Sequence, residues 1–249
     1  MTPSDTAPDD LLTVASSLVA MPGAGSDGDY AERAMRPLAD ALGVPLIAVD
    51  PGPAGIVSSC LAALDDAATR GPVIAAGISI GACVAVHWAA SRPGACAALV
   101  AACPPWRPGG AGGRSPAAAA ARATVAEIER GGLAAATAAM RASSPAWLGD
   151  ELGRSWTALG DLLAPHLREA ASATVPTADD LRRVADLGLA TAVVAVADDA
   201  VHPAEVASSW ASVLGVVPSV VDFDSWAGDP GTIGRAAADA WGIARPSVR

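Results

Sequence analysis

Residues 77–81 read Gly-Ile-Ser-Ile-Gly, between a short apolar run at 72–76 and an alanine-rich run at 82–91. The first run predicts a strand and the second a helix. Where a strand turns sharply into a helix, glycines on both sides of Ser79 avoid a clash and leave its hydroxyl exposed above the sheet. The helix N-terminus behind Ser79 would favour negative charge developing there. An ordinary Gly/Ser helix cap is the alternative interpretation, because the five-residue pattern alone is common.

Apolar strand-like runs alternate with helical patterns on both sides of this turn. Such alternation predicts a parallel sheet that is covered by helices on both faces. The predicted strands are 11–21, 44–49, 72–76, 96–103, 191–197 and 216–223, and the predicted helices between and after them are 32–42, 56–70, 82–91, 203–214 and 231–241.

The alternation stops after the fourth predicted strand. Residues 107–115 are rich in Gly, Arg and Pro, and residues 116–185 have the spacing of consecutive helices. We therefore predict one α/β core, 1–106 with 186–249, and a helical lid inserted at 107–185.

Composition limits the classes of partner. The chain has 249 residues, no lysine and a net charge of −10. We expect no nucleic-acid partner, because such a surface needs a basic stripe. The acidic first ten residues lack the basic segment of a secretion signal, and no apolar run is long enough to span a membrane, so we expect a cytoplasmic protein without a membrane partner. A homodimer is compatible with the sequence.

No motif in the chain points to a cofactor or a metal ion. The four cysteines, Cys60, Cys83, Cys96 and Cys103, form no C-x-x-C pair, and apolar runs around them predict buried thiols. There is no G-x-x-x-x-G-K-[S/T] sequence and no G-x-G-x-x-G turn between strand and helix. We therefore expect neither a cofactor nor a metal.

Three segments together resemble the α/β-hydrolase superfamily over nearly the whole chain. The first is the 77–81 turn, and the second is Pro-Gly-Ala-Gly-Ser at 22–26, which resembles the family's oxyanion loop. The third is Asp-Asp-Ala-Val-His-Pro at 198–203, which is similar to the family's acid turn. The resemblance implies the α/β-hydrolase fold, Ser79 as nucleophile and Asp199 as the acid. It also implies an oxyanion hole made of the backbone N–H groups of Ala24 and Ile80.

The family's histidine is missing from its usual place. It should follow the last strand, but residues 223–230 read Phe-Asp-Ser-Trp-Ala-Gly-Asp-Pro. Another group must act as the base if the serine is a nucleophile, and that group must lie within hydrogen-bonding distance of the hydroxyl.

Five residues have to be considered as the base that accepts the Ser79 proton. His87 is eight residues along the helix from Ser79, about 12 Å down its axis, and is expected to be structural. His202 follows the acid turn at the carboxyl edge of the sheet and is our first choice. His166 of the lid is the second. A buried Asp224 or Asp229 with a raised pKa is a third option, although solvated loop carboxylates are the simpler interpretation.

Bulky and small residues around the predicted turn are candidates for substrate binding. Trp106 follows the fourth strand and Trp226 lies in the loop after the last one. Together with Gly23 of the oxyanion loop and His166 of the lid, they predict an apolar pocket for a small hydrophobic acyl or polyketide-like substrate.

These residues predict a serine acyl hydrolase acting on an ester, thioester or lactone through an atypical triad of Ser79, His202 and Asp199. Two alternatives stay open, because function belongs to the site and not to the fold. One is a lyase or cyclase in which Ser79 only donates a hydrogen bond, and the other is a binding protein without catalysis. The missing histidine favours these alternatives, whereas the presence of the other three segments favours hydrolysis.

Overall fold

The computed structural model of the protein describes residues 14–108 and 112–243. Its strands form one parallel sheet in the order β2-β1-β3-β4-β5-β6, which confirms the predicted sheet. The predicted strand 11–21 lies partly outside the described residues. The strands are β1 (Ser17–Met21), β2 (Leu46–Ala48), β3 (Val73–Ile78), β4 (Cys96–Ala102), β5 (Ala190–Val196) and β6 (Ser219–Val221).

Helices cover both faces of the sheet. The described α-helices are α1 (Gly28–Leu42), α2 (Ile56–Ala68), α3 (Ile80–Ser91), α4 (Pro116–Ser143), α5 (Ala146–Leu159), α6 (Leu163–Ser172), α7 (Ala178–Leu187), α8 (Ala204–Leu214), α9 (Phe223–Gly228) and α10 (Thr232–Ala240). No helix in these described ranges is long and apolar enough to cross a membrane.

The core has two layers because neighbouring residues of each strand point to opposite faces. In β1, Val19 and Met21 belong to the layer that includes α2, α3 and α8, whereas Leu18 and Ala20 belong to the layer that includes α1 and α10. All residues of the central strands β3 and β4 are buried. Many of the facing side chains are alanine, so the helices can lie close to the sheet.

The turn between β3 and α3 holds Ser79 in a strained backbone conformation. Ser79 has φ 55° and ψ −117°, and its N–H donates to the carbonyl of Ala102 at the end of β4 (2.9 Å). A β-carbon on Gly77 would overlap the carbonyl group of Gly81, and one on Gly81 would lie 2.5 Å from the carbonyl oxygen of Met21. The two glycines therefore allow the sharp turn, and the sheet holds the serine in it.

Four helices, α4 to α7, lie between β4 and β5, where the helical insertion is expected. Helices α4, α5 and α6 share an apolar cluster of their own. Helix α7 differs, since Leu181 and Val184 are buried in the core layer that contains α3. Residues 109–111, which belong to the Gly-, Arg- and Pro-rich segment 107–115, lie outside the described residues. Because α7 packs with the core, we use the name lid for α4 to α6 only, residues 116–172.

Five charged residues join the lid to the start of α1, and we call them the lid latch. Arg154 of α5 donates two hydrogen bonds to the Asp27 carboxylate (2.7 and 2.8 Å) and pairs with Glu151 (2.6 Å). Arg33 of α1 donates to both Glu151 oxygens (2.8 Å each) and pairs with Asp29 (2.9 Å). Asp27 is the N-cap of α1, directly after the 22–26 loop. The latch therefore fixes the lid beside that loop.

The charge state of Asp27 makes the latch depend on pH. Burial acts to raise the pKa of this carboxyl, but the hydrogen bonds and charge of Arg154, with the Tyr30 N–H, lower it overall. A carboxyl with a lowered pKa in the folded state stabilises the fold above its unfolded pKa, which is about 4. That contribution is lost as pH falls through the lowered value.

We predict that Arg154→Gln lowers the free energy of unfolding at pH 7, because it removes the pair with Asp27. The loss should be only about 1 kcal/mol, because solvent reaches Arg154 and screens the pair. The deficit should shrink at an acidic pH well below about 4, because Asp27 becomes protonated only as the pH falls through its lowered pKa. Urea denaturation at both pH values measures this, with Arg36→Gln as a control, since Arg36 pairs only with exposed carboxylates of its own helix. An equal loss in the two variants, or no dependence on pH, would contradict the latch.

Candidate active site

Ser79 lies within hydrogen-bonding distance of a histidine at the carboxyl edge of the sheet. The distance from Ser79 Oγ to His202 Nε2 is 2.9 Å, and His202 Nδ1 lies 2.9 Å from Asp199 Oδ2. An ionised carboxylate can only accept, so Nδ1 carries the ring proton and Nε2 is free to accept the Ser79 hydroxyl proton. The three side chains thus form a continuous hydrogen-bonded chain from hydroxyl to carboxylate.

Asp199 and His202 belong to the same tight turn after β5. Asp199 Oδ1 accepts the backbone N–H groups of Val201 (2.8 Å) and His202 (3.1 Å), while Oδ2 meets the imidazole. Asp198, just before, has φ 58°, which an aspartate tolerates better than most residues. One carboxylate therefore shapes the turn and also orients the ring.

The surroundings keep Asp199 ionised. Burial acts to raise its pKa, but the hydrogen bond and charge of His202 and the N–H groups of residues 201 and 202 lower the pKa overall. A negative charge next to His202 favours the imidazolium that would form if His202 took a proton from Ser79.

The other two histidines have structural partners. His87 Nδ1 lies 3.2 Å from Asp180 Oδ2, on the side of α3 that packs with α7, as expected for a structural residue. The prediction that His166 lines the pocket is wrong. His166 is 1% exposed, lies outside the cavity lining, and its Nε2 contacts the Gly52 carbonyl oxygen (3.0 Å). Helical spacing could not determine that α6 turns this ring toward the core.

Neither carboxylate of the 223–230 segment lines the cavity. Asp229 pairs with Arg235 (2.8 Å) and accepts the Gly231 N–H, so its pKa is lowered, whereas a base of the kind considered would need a raised one. Asp224 lies in the first turn of α9. Neither is placed to act on Ser79.

The backbone N–H groups of Ile80 and Ala24 are the predicted donors of the oxyanion hole. Ile80 is the first residue of α3, where helix N–H groups have no intrahelical partner. In the described part of the chain neither the Ile80 N–H nor the Ala24 N–H donates to a protein group. Gly23 faces the serine, because a β-carbon there would lie 3.4 Å from Ser79 Cβ. The structure thus brings the 22–26 loop next to Ser79.

A cavity of about 430 Å³ opens above these residues, between the core and the lid. Ser79, Asp199 and His202 line it, and so do Gly23 and Ala24. Most of the remaining lining is apolar, and its Trp, Tyr and Phe side chains are Tyr30, Trp106, Trp147, Trp156, Phe223 and Trp226. The structure therefore places Trp106 and Trp226 where the pocket wall was predicted.

Three aromatic rings form one wall of the cavity, which we call the aromatic wall. Trp147 of the lid lies edge-to-face against Phe223 and Trp226 of α9, with ring centroids 5.5 and 4.9 Å away. Phe223 and Trp226 are 5.6 Å apart in the same geometry. Such contacts add about 0.5–1.5 kcal/mol beyond area burial. The wall includes the segment where the family would carry its histidine.

Sequence reasoning missed Tyr30 and Phe223 as lining residues. They are the one tyrosine and the one phenylalanine of the chain, and each lies in the first turn of a helix that begins after the carboxyl end of a strand. That position was a usable signal, because the carboxyl ends of parallel strands meet at one edge.

One cluster of acidic groups also resembles a metal site. Carboxylate oxygens of Asp27, Asp29 and Glu151 lie within 4.8 Å of one another. Arg33 and Arg154 of the lid latch bind all three, so two of the three negative charges are already compensated by protein groups. These groups belong to the latch.

Three kinds of comparison with known proteins were made, and only the comparison with solved structures gave matches. No protein-family model matches the sequence, and no curated protein matches it significantly. Solved structures do. A hydrolase from Oleispira antarctica covers 96% of this chain and 98% of its own at a TM-score of 0.63 and 14% identity. A thermophilic esterase from Thermogutta terrifontis covers 91% and 89% at 0.65 and 16%. An esterase from a Rhodococcus species covers 92% of each chain at 0.63 and 19%. The chain has the α/β-hydrolase fold.

The strain at Ser79 gives a test that needs no substrate. We predict that Ser79→Gly is more stable than Ser79→Ala by about 1 kcal/mol, since glycine relieves a positive φ at some entropic cost. At Ser208, an exposed position inside α8, the order of stability should be reversed. There the alanine variant should be more stable than the glycine variant by about 1 kcal/mol. Urea denaturation of the four variants measures both differences. Equal stability of the two Ser79 variants would mean that the turn is unstrained.

Proposed function

We propose that the protein is a serine acyl hydrolase in which Ser79 is the nucleophile, His202 the general base and Asp199 the acid. The observation that carries the proposal is the hydrogen-bonded chain from Ser79 Oγ through both ring nitrogens of His202 to Asp199, with 2.9 Å at each step. This is the arrangement that activates a serine in unrelated hydrolases, where it is recognised by geometry rather than by sequence position.

The proposed reaction has two half-reactions. His202 Nε2 takes the hydroxyl proton as Ser79 Oγ forms a bond to the carbonyl carbon, and the N–H groups of Ala24 and Ile80 receive the oxyanion. The carbon–oxygen bond to the leaving alcohol then breaks, and His202 returns the proton to that alcohol. A water molecule, deprotonated by the same ring, then attacks the carbonyl carbon of the acyl-enzyme. The bond from that carbon to Ser79 Oγ breaks, His202 returns the proton to Ser79, and the carboxylic acid is released.

The position of His202 bears directly on the alternatives. The missing histidine was the reason to consider a lyase, a cyclase or a binding protein. With an imidazole 2.9 Å from the hydroxyl, that reason no longer applies. A base that comes from the acid turn meets the same requirement as one that follows the last strand, because only its distance and orientation matter.

The cavity favours a compact, neutral and mostly apolar substrate. Its volume of about 430 Å³ is in the range of small-molecule sites. In the described ranges no arginine lines it, whereas Glu151 and Asp199 do. With a net charge of −10, this site should disfavour anionic thioesters of the coenzyme A type. We therefore propose neutral esters or lactones as the substrate class.

We predict that Asp199→Asn lowers kcat for 4-nitrophenyl butyrate about 10³–10⁴-fold, because the amide no longer fixes the tautomer that lets Nε2 accept a proton. Asp198→Asn is the matched control and should stay within about threefold, since asparagine also tolerates a positive φ. Steady-state kinetics on folded variants measure both. A similar loss in the two variants would argue that the turn matters only for its shape.

A further inference from the structure

Tyr30, whose side chain ends in a hydroxyl group, is one of the residues that line the cavity. It is the third residue of α1, four residues beyond the 22–26 loop, and only 5% of it is exposed. Trp226 of the aromatic wall donates its indole N–H to the Tyr30 hydroxyl oxygen at 2.8 Å. The phenol is thus held in place from the segment that replaces the family's histidine loop.

The hydroxyl proton of Tyr30 has no acceptor among the described residues. Burial is the main cause that raises the pKa of this phenol, so the group keeps its proton at neutral pH and can act only as a neutral donor or acceptor. Accepting a hydrogen bond from Trp226 makes a hydroxyl a better donor, because hydrogen bonds in a chain polarise one another. A buried donor without an acceptor is unfavourable, because it has lost its hydrogen bond to water.

A second donor in the same cavity lining is also unsatisfied. Trp156 of the lid is 4% exposed, and its Nε1 has no partner in the described part of the chain. The Glu151 carboxylate lines the cavity too, but Arg33 and Arg154 already occupy it. The cavity lining therefore offers hydrogen-bond donors, whereas its two carboxylates, Glu151 and Asp199, are already engaged.

We propose that the acyl group of the substrate carries a second oxygen, an ether or carbonyl oxygen apart from the scissile carbonyl, which accepts the hydrogen bond of Tyr30. This rests on the proposed function. The acyl group stays on Ser79 through both half-reactions, so a donor to it contributes to both. The substrate class is then a small neutral oxygenated acyl ester or lactone and not a plain alkanoate. Tyr30 is a specificity residue, and Trp226 is a positioning residue that acts through it.

Matched pairs of 4-nitrophenyl esters test this, because an ether oxygen replaces one methylene at nearly constant shape. The pairs are methoxyacetate with butyrate, 3-methoxypropanoate with pentanoate, and 4-methoxybutanoate with hexanoate. Each kcat/KM is divided by the second-order rate constant for hydrolysis of the same ester by hydroxide, which corrects for the intrinsic reactivity of the ester. We expect a preference of about tenfold for the oxygenated ester in at least one pair, since a site built for a hydrogen bond rejects the analogue without it.

Tyr30→Phe should abolish this preference, and Trp226→Phe should reduce it by releasing the hydroxyl. Trp241→Phe is the matched control and should keep it. Trp241 has a buried indole N–H with no partner among the described residues, and it lies at the end of α10, outside the cavity lining. No preference in any pair, or a preference that persists in Tyr30→Phe, would overturn the inference.

A binding measurement separates failure of this inference from failure of the proposed function. In Ser79→Ala, NMR titration should show about tenfold tighter binding of the preferred oxygenated ester than of its alkyl partner. The double variant Ser79→Ala with Tyr30→Phe should bind the two alike. That result supports the role of Tyr30 even if the wild type hydrolyses no ester. Equal binding to Ser79→Ala overturns it even if hydrolysis is established.

Discussion

The hydrogen bond between Ser79 and His202 connects two loops that are 123 residues apart in sequence. It depends on two local constraints. The glycines at 77 and 81 allow the strained serine turn, and Asp199 fixes the ring from within its own turn. The parallel sheet brings both turns to one edge, because β3 and β5 are separated only by β4. The proposed chemistry needs all three features at once.

Placing the base three residues after the acid has a consequence for the rest of the site. The segment after β6 no longer has to carry a histidine, and it forms α9, which supplies Phe223 and Trp226 to the aromatic wall. Trp147 of the lid completes that wall, and the lid latch fixes the lid beside the 22–26 loop. The proposed base and the proposed specificity wall are thus compatible, because the base comes from the turn after β5 and the wall from the segment after β6.

Much of the architecture was predictable because it follows from local pattern. Apolar runs and glycine turns determined the order of strands and helices, and the edge strands β2 and β6 are shorter than predicted because they pair on one side only. The packing of α7 with the core and the burial of His166 depend on contacts distant in sequence, which periodicity does not encode. Helix α9 was not predicted, because it has only six residues after its N-cap, Asp222, and so short a segment shows no helical periodicity.

The most direct test of the relocated base is the rate at which a fluorophosphonate probe modifies Ser79, followed by intact-mass analysis. We expect one adduct on the wild type and none on Ser79→Ala. In His202→Ala the rate of labelling should fall about 10³-fold or more. His87→Gln should label like the wild type, because that ring pairs with Asp180 away from the cavity. Labelling of His202→Ala at the wild-type rate, or no labelling of a folded wild type, would contradict the account.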